Sequence, residues 1–159
     1  MKSFFIITFL LSALFIFSPE ADAQDRGFGI GAVIGAPDGI SMKSWVSETG
    51  AIAGAASFFI TENNSSLYIH ADYLHHKNYD QLNWDTGYLN YYYGGGVRLN
   101  FREAGLNNFR YALRAPIGIN INFIEIPVDF FVEIAPTLDI DPALALGFNG
   151  GLGFRFFLN

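Results

Sequence analysis

Apolar and polar residues alternate along much of the chain with a period of two. In residues 87–103, GYLNYYYGGGVRLNFRE, one face is apolar or aromatic and consists of Leu89, Tyr91, Tyr93, Gly95, Val97, Leu99 and Phe101. The opposite face consists of Asn90, Tyr92, Gly94, Gly96, Arg98, Asn100 and Arg102. Because successive side chains of a β-strand point to opposite faces, this pattern predicts a strand.

The alternation recurs in other segments, and clusters rich in Gly, Pro, Asn and Asp separate them. We predict eight strands, at about residues 27–35, 40–47, 51–60, 67–76, 89–101, 109–122, 128–138 and 144–158. The segments between them include APDG, ETG, TENNSS, EAGLNN and DIDPA, whose residues favour turns. A longer link is expected at residues 77–87. The prediction is an all-β, antiparallel, up-and-down arrangement.

Residues 1–23 predict a secretory signal peptide. Lys2 precedes an uncharged apolar run, and the small-residue pattern Ala21-Asp22-Ala23 marks the expected cleavage site. The run is shorter than the roughly 20 residues that a membrane-spanning helix needs. Residues 24–159 are then expected to form one domain.

Composition narrows the classes of function. The chain has no cysteine, which excludes a disulfide scaffold. Its net charge of −6 makes nucleic acid an unsuitable partner, since phosphate binding needs a basic surface. Lysine, which commonly protects exposed strands of soluble β-proteins, is scarce. No cofactor is indicated.

Two kinds of closed β-barrel share the observed alternation. In a soluble barrel the apolar face fills the interior, whereas in a membrane barrel that face meets lipid and the polar face lines the lumen. The polar faces here consist mostly of small residues and scattered arginines, which suit the narrow interior of eight strands. The strands of the second half are long, and aromatic residues collect near their ends, as in membrane barrels. The sequence therefore favours an eight-stranded transmembrane β-barrel.

Five charged residues are the candidate site inside this barrel. An arginine facing lipid near the bilayer midplane would cost roughly 2–4 kcal/mol. We therefore expect Arg98, Arg114 and Arg155 to point inward, together with Glu133 and Asp72. Our hypothesis is a network in which the two carboxylates bridge the three arginines and close the pore.

The expected register supports part of this network. If the turn after the sixth strand is centred on Phe123 and Ile124, Arg114 lies opposite Glu133. Similar arithmetic around the EAGLNN loop could place Arg98 opposite Arg114, where like charges would repel unless a carboxylate lies between them.

The fourth strand also offers candidate chemistry. His70, Asp72 and His76 share one face, with His75 on the other, and this spacing could present metal ligands or a general base. A polar lumen with histidines near its rim is the favoured interpretation. The serine expected in lipid deacylase barrels and a Gly-x-Ser-x-Gly motif are both missing from the sequence. We predict no catalytic residue and no metal site, and expect that the protein is not an enzyme.

Several segments resemble a known class of proteins. They are GFGIGAVIGAPDGISMKSWVS, YIHADYLHHK, YYYGGGVRLNF, RAPIGINI and FFVEIAPTLDIDPALALGFNGGLGFRFF, which together cover most of residues 27–158. The chain resembles small eight-stranded outer-membrane barrels of the OmpA and OmpX type, in particular a spirochaete-type family of unknown function. The resemblance implies the fold and an outer-membrane location in a Gram-negative-type envelope.

The expected function is a structural or surface-binding role. We expect a monomer that contacts membrane lipid and, through its short loops, an extracellular protein or lipid ligand. The alternative is a small solute pore or transporter, and a lipid-modifying enzyme is the weakest of the three.

Overall fold

The computed structural model describes residues 27–61, 64–102, 109–140 and 143–158, so the predicted signal peptide lies outside the described residues. The described chain forms nine strands: β1 Phe28–Ala36, β2 Gly39–Trp45, β3 Gly50–Thr61, β4 Asn64–Trp84, β5 Gly87–Arg102, β6 Phe109–Arg114, β7 Ile117–Phe123, β8 Val128–Asp139 and β9 Ala145–Leu158. Within these ranges no helix has the length and apolarity needed to cross a membrane.

The strands form a closed antiparallel ring. Strands β1 to β5 pair in chain order, β8 pairs with β9, and β9 pairs with β1. Strands β6 and β7 share one position, because both pair with β5 and both pair with β8. The prediction of an all-β, antiparallel, up-and-down chain is confirmed.

The predicted sixth strand is interrupted at Ala115 and Pro116. Proline has no backbone N–H and cannot donate to the ladder. The chain nevertheless keeps its position, since the Pro116 carbonyl accepts from Gly94 N at 2.9 Å and Ala115 N donates to the Pro136 carbonyl at 3.0 Å. The prediction of one continuous strand over residues 109–122 is therefore wrong, although the ring still has eight strand positions.

The predicted long link at residues 77–87 is also wrong. Strand β4 continues to Trp84, and Asp85 and Thr86 alone form the turn to β5. A bulge between Asn78 and Asn83 shifts the pairing of β4 with β5. The extra residues of a bulge break the period of two, so the alternation pattern could not reveal this extension.

The predicted turn at Phe123 and Ile124 lies too early. Strand β7 ends at Phe123, and β8 begins only after Pro127, whose missing N–H and fixed φ favour the turn. In the resulting register Arg114 lies opposite Thr137, so its predicted place opposite Glu133 is wrong.

The two faces of the ring have the predicted characters. Large apolar side chains are exposed, including Ile34, Phe58, Tyr93, Leu113, Ile117, Val132, Ile134, Leu146, Phe148, Leu152 and Phe156. Polar and charged side chains are buried, including Ser41, Lys43, Asp72, Asn90, Arg114, Asn120, Asp129 and Arg155. Because the ring is closed, the buried face of each strand points to the interior of the ring. The outside of the ring is therefore apolar, and its inside combines these polar and charged side chains with small or aromatic ones such as Ala51, Tyr92 and Phe131.

Candidate functional site

The interior of the ring contains a series of ion pairs. Among the described residues, these pairs involve four Lys or Arg side chains and four carboxylates, apart from the pair of His70 with Asp72: Lys43, Arg98, Arg114, Arg155, Asp72, Asp129, Glu133 and Asp139. A buried charge without a partner is strongly destabilising, so this balance makes a charged interior tolerable.

We define the two ends of the ring by its strands. The lower end is where β1 begins and β9 ends, and the upper end is where β1 turns into β2. The ion pairs form three groups along the axis, which we call the lower, middle and upper clusters.

The middle cluster contains Asp72, Arg114 and Glu133. Arg114 Nε lies 2.9 Å from Asp72 Oδ1, and Arg114 Nη2 donates to Glu133 Oε1. The Tyr92 hydroxyl donates to Glu133 Oε2 at 3.0 Å, and His70 Nδ1 lies 2.8 Å from Asp72 Oδ2. Both carboxylates thus contact the same guanidinium group, and further polar side chains hold each of them in place.

A glycine makes the contact between Asp72 and Arg114 possible. Gly96 is paired with Asp72 on one side and with Arg114 on the other, so the three residues form a row across β4, β5 and β6. A Cβ at Gly96 would lie 2.0 Å from Asp72 Oδ1 and 2.3 Å from the Ala71 carbonyl oxygen. The two charged side chains can therefore meet across β5 because Gly96 has no side chain.

Gly118 has the same role between Tyr92 and Glu133. It is paired with Tyr92 of β5 and with Glu133 of β8. A Cβ at this position would lie 2.4 Å from the Tyr92 hydroxyl oxygen. Glycines on the interior face thus determine which polar side chains reach each other across an intervening strand.

The lower cluster is fully enclosed. Asp129 Oδ2 lies 3.3 Å from Lys43 Nζ and 3.5 Å from Arg155 Nη1, and the side chains of Lys43 and Asp129 are both 0% exposed. Arg155 Nε donates to Ser41 Oγ at 2.9 Å, and its guanidinium group lies 3.8 Å from the ring centre of Phe131. Aromatic and polar contacts together exclude solvent from these charges.

The upper cluster is less enclosed. Arg98 Nη2 donates to Asp139 Oδ1, and the two side chains are 13% and 24% exposed. Arg98 Nη1 lies 3.5 Å from Thr137 Oγ1 and 3.4 Å from Asn149 Oδ1, which are long hydrogen bonds. The Tyr68 hydroxyl donates to the same Asn149 oxygen at 2.8 Å.

A cavity of about 400 Å³ lies at the upper end. Its lining consists of Ala36, Pro37, Phe59, Ser66, Tyr68, Arg98, Asn100, Arg110, Asp139 and Asn149. The lining thus combines polar and apolar side chains, and it includes both charged residues of the upper cluster.

The predicted site residues are only partly brought together. Asp72, Arg114 and Glu133 are in contact, although the register on which the Arg114 contact was predicted is wrong. Arg98 lies opposite Ala112 rather than Arg114 and pairs with Asp139. Arg155 pairs with Asp129. Instead of one network bridged by two carboxylates, the interior has three clusters with different carboxylates.

Sequence reasoning missed Lys43, Asp129 and Asp139 as members of these clusters. Asp129 has the same alternation parity as Glu133, so the pattern that predicted Glu133 also contained it. Asp139 shares this parity but lies one residue beyond the predicted strand, and β8 extends to include it. Lys43 shares the buried face of β2 with Trp45, and an aromatic residue on that face obscured the contrast between the faces.

The histidines of β4 have separate surroundings. His70 contacts Asp72, whereas the ring centre of His76 lies 4.4 Å from that of Trp45 and 5.2 Å from that of Tyr92. In the part of the chain that the structure describes, no group of three His, Asp or Glu side chains is placed to hold a metal ion.

No known family model, curated protein or solved structure matches this chain.

Proposed function

We propose that residues 24–159 form an eight-stranded transmembrane β-barrel in the outer membrane of a Gram-negative-type envelope, after removal of a signal peptide at residues 1–23. The protein would belong to the class of small barrels of the OmpA and OmpX type that the sequence resembles. The observation that carries this proposal is the inverted polarity of the ring, with apolar side chains outside and ion pairs inside.

The outer face supports lipid as the surrounding medium. Val132 and Ile134 of β8 are 54% and 62% exposed, whereas the intervening Glu133 points inward to Arg114. Soluble monomers rarely expose apolar patches larger than a few hundred Å². Apolar side chains are exposed on β1, β3, β5, β7, β8 and β9, which is the outer surface expected of a membrane barrel.

The closure of the ring is a second argument that lipid surrounds the protein. A spanning segment cannot leave backbone N–H and C=O groups unpaired in hydrocarbon, and a closed sheet satisfies them between strands. The pairing of β1 with β9 removes the two edges that an open sheet would have.

Within the membrane, we propose a monomer with a structural or surface-binding role. The lower and middle clusters fill the interior with paired charges and with the buried side chains of Trp45, Tyr92, Phe131 and Phe157. Such packing leaves little room for solute flow. Membrane lipid is then one partner, and a ligand at the upper end is the other.

A heat-modifiability experiment tests the barrel itself. The protein is purified from membranes and run on a denaturing gel with and without boiling. We expect the unboiled sample to migrate as a compact species, because a closed barrel resists detergent. Identical migration of the two samples would contradict the proposal.

The second candidate function is a small solute pore, and the polar interior favours it. The buried face includes the neutral polar side chains of Asn90, Asn120 and Asn122, and a polar interior is what the water-filled channel of a porin has. Planar-bilayer recordings of the wild type and of Glu133→Gln separate the two functions. We expect no discrete steps for the wild type and a conductance for the variant, since the variant loses the charge that holds Arg114 and Tyr92. Steps in the wild type would establish the pore instead.

A further inference from the structure

We propose that the cavity at the upper end binds an acidic sugar, that is, a hydroxyl-rich small molecule with one phosphate or carboxylate group. The proposal specifies a ligand for the surface-binding role, and it rests on the proposed function for the orientation of the barrel in the membrane. In a barrel whose amino terminus is periplasmic, the upper end faces the outside of the cell.

The charge of the cavity favours an anionic ligand. Its described lining contains two guanidinium groups, those of Arg98 and Arg110, and one carboxylate, that of Asp139. Arg98 is paired with Asp139, whereas the exposed Arg110 makes no ion pair with another described residue. The described lining thus carries a net positive charge of one, and guanidinium groups bind carboxylate and phosphate in a forked geometry.

The position of the two arginines suits one anionic group near the rim. Arg110 is the cross-strand partner of Asn100, and Arg98 lies two residues before Asn100 in β5, on the same face of the strand. Arg98 is held by Asp139 and lies deeper in the ring, so its orientation is already fixed before a ligand binds. Arg110 can then close on the anion from the rim.

The polar groups that remain without partners favour hydroxyls on the rest of the ligand. Asn100 Oδ1 and Arg98 Nε are buried and have no hydrogen-bond partner among the described residues. Asn149 accepts through its oxygen, which leaves its amide nitrogen as a donor. A sugar hydroxyl both donates and accepts, so it can satisfy an unpaired acceptor and an unpaired donor in the same site.

The size and the apolar part of the cavity agree with this class. A volume of about 400 Å³ lies at the lower end of the range for small-molecule sites. Phe59, Pro37 and the ring of Tyr68 provide apolar surface beside the polar groups. A long acyl chain or a folded protein would not fit this space.

Isothermal titration calorimetry tests the proposal on the full mature chain in non-ionic detergent. The probes are glucose 6-phosphate, glucuronate, glucose and inorganic phosphate. We expect the two acidic sugars to bind more tightly than glucose and more tightly than phosphate. Equal affinity for glucose would overturn the role of the anion, and equal affinity for phosphate would overturn the role of the hydroxyls.

Substitutions in the lining of the cavity test whether the ligand binds there. Arg110→Gln should weaken glucose 6-phosphate binding at least about tenfold, and Asn100→Ala about fivefold. The matched control is Lys77→Gln, which removes an exposed positive charge on the lower half of β4 and should leave the affinity unchanged. An unchanged affinity of Arg110→Gln, or an equal loss in Lys77→Gln, would overturn the site.

Two further results complete the test. Competition by micelles that contain phosphatidylinositol 4-phosphate would assign the acidic sugar to a lipid headgroup, and binding without competition would assign it to a free solute. A protein that is heat-modifiable but binds none of the probes would refute the cavity as a site while the barrel stands.

Discussion

The lower and upper clusters use the same chemistry in different surroundings. In the lower cluster, Asp129 contacts Lys43 and Arg155 with no exposed surface on the carboxylate. In the upper cluster, Asp139 contacts Arg98 while a quarter of its side chain remains exposed. The first arrangement excludes water from the ring, and the second borders a cavity.

The difference follows from what surrounds each carboxylate. Trp45, Phe131 and Phe157 are buried around the lower cluster, so each of its charges is stabilised by the opposite charges of the cluster rather than by water. Tyr68, Thr137 and Asn149 surround the upper cluster with polar groups that can exchange partners. Stability should therefore depend mainly on the lower cluster, and recognition mainly on the upper cluster.

The largest effect is expected from Asp129→Asn. Asparagine keeps the shape but removes the charge that faces both Lys43 and Arg155, and two buried cations are then left close together. Breaking a buried ion pair from one side typically costs about 3–5 kcal/mol. The free energy of unfolding, measured by urea titration in detergent, should fall by that amount.

The control for this prediction is Asp139→Asn, which makes the same chemical change in the upper cluster. A loss in Asp129→Asn no larger than the loss in Asp139→Asn would show that the enclosed charges are not what stabilises the ring.

A smaller effect is expected from Gly96→Ala in the middle cluster. The added Cβ would meet Asp72 Oδ1 at 2.0 Å and a backbone oxygen at 2.3 Å, so the contact of Asp72 with Arg114 must open. Overpacking of this kind typically costs about 1–3 kcal/mol. Urea unfolding and the heat-modified gel shift should both report the loss.

The neighbouring glycine offers a matched control. Gly95 lies on the outer face, and a Cβ there would have no heavy atom within 4 Å. Gly95→Ala should leave the unfolding free energy unchanged or raise it slightly, since alanine has less freedom to lose on folding. Equal destabilisation by the two substitutions would contradict the role of the glycine row.

The faces of the ring could be predicted from sequence because they depend only on local alternation. Each of β5, β6 and β8 alternates between the two faces, so the inward direction of Arg98, Arg114 and Glu133 could be predicted from the alternation alone. Partners across strands depend on register, and register depends on turns and bulges. The turn before β8 includes Pro127 and lies later than predicted, and β4 continues past a bulge after Asn78. Neither feature changes the alternation in the other strands.

The membership of the clusters was harder to predict for the same reason. Arg98 and Asp139 come from β5 and β8, which are separated by the shared position of β6 and β7. Their contact needs both neighbouring registers to be correct. The contact of Tyr92 with Glu133 also requires a glycine, Gly118, on the strand between them. The sequence shows that Gly118 lies on the interior face, but it does not show which two side chains meet across it.

The smallest effect is expected from Asp139→Asn, and its dependence on salt sharpens the comparison. A partly exposed pair contributes about 0–1 kcal/mol and is screened by salt, because ions reach it through the cavity. The loss of stability in this variant should shrink further when sodium chloride is raised to about 0.5 M, where the screening length is only a few Å. The loss in Asp129→Asn should stay constant, since no solvent reaches that carboxylate. Urea unfolding of both variants at low and high salt makes the measurement. Equal salt dependence would mean that water enters both ends of the ring alike.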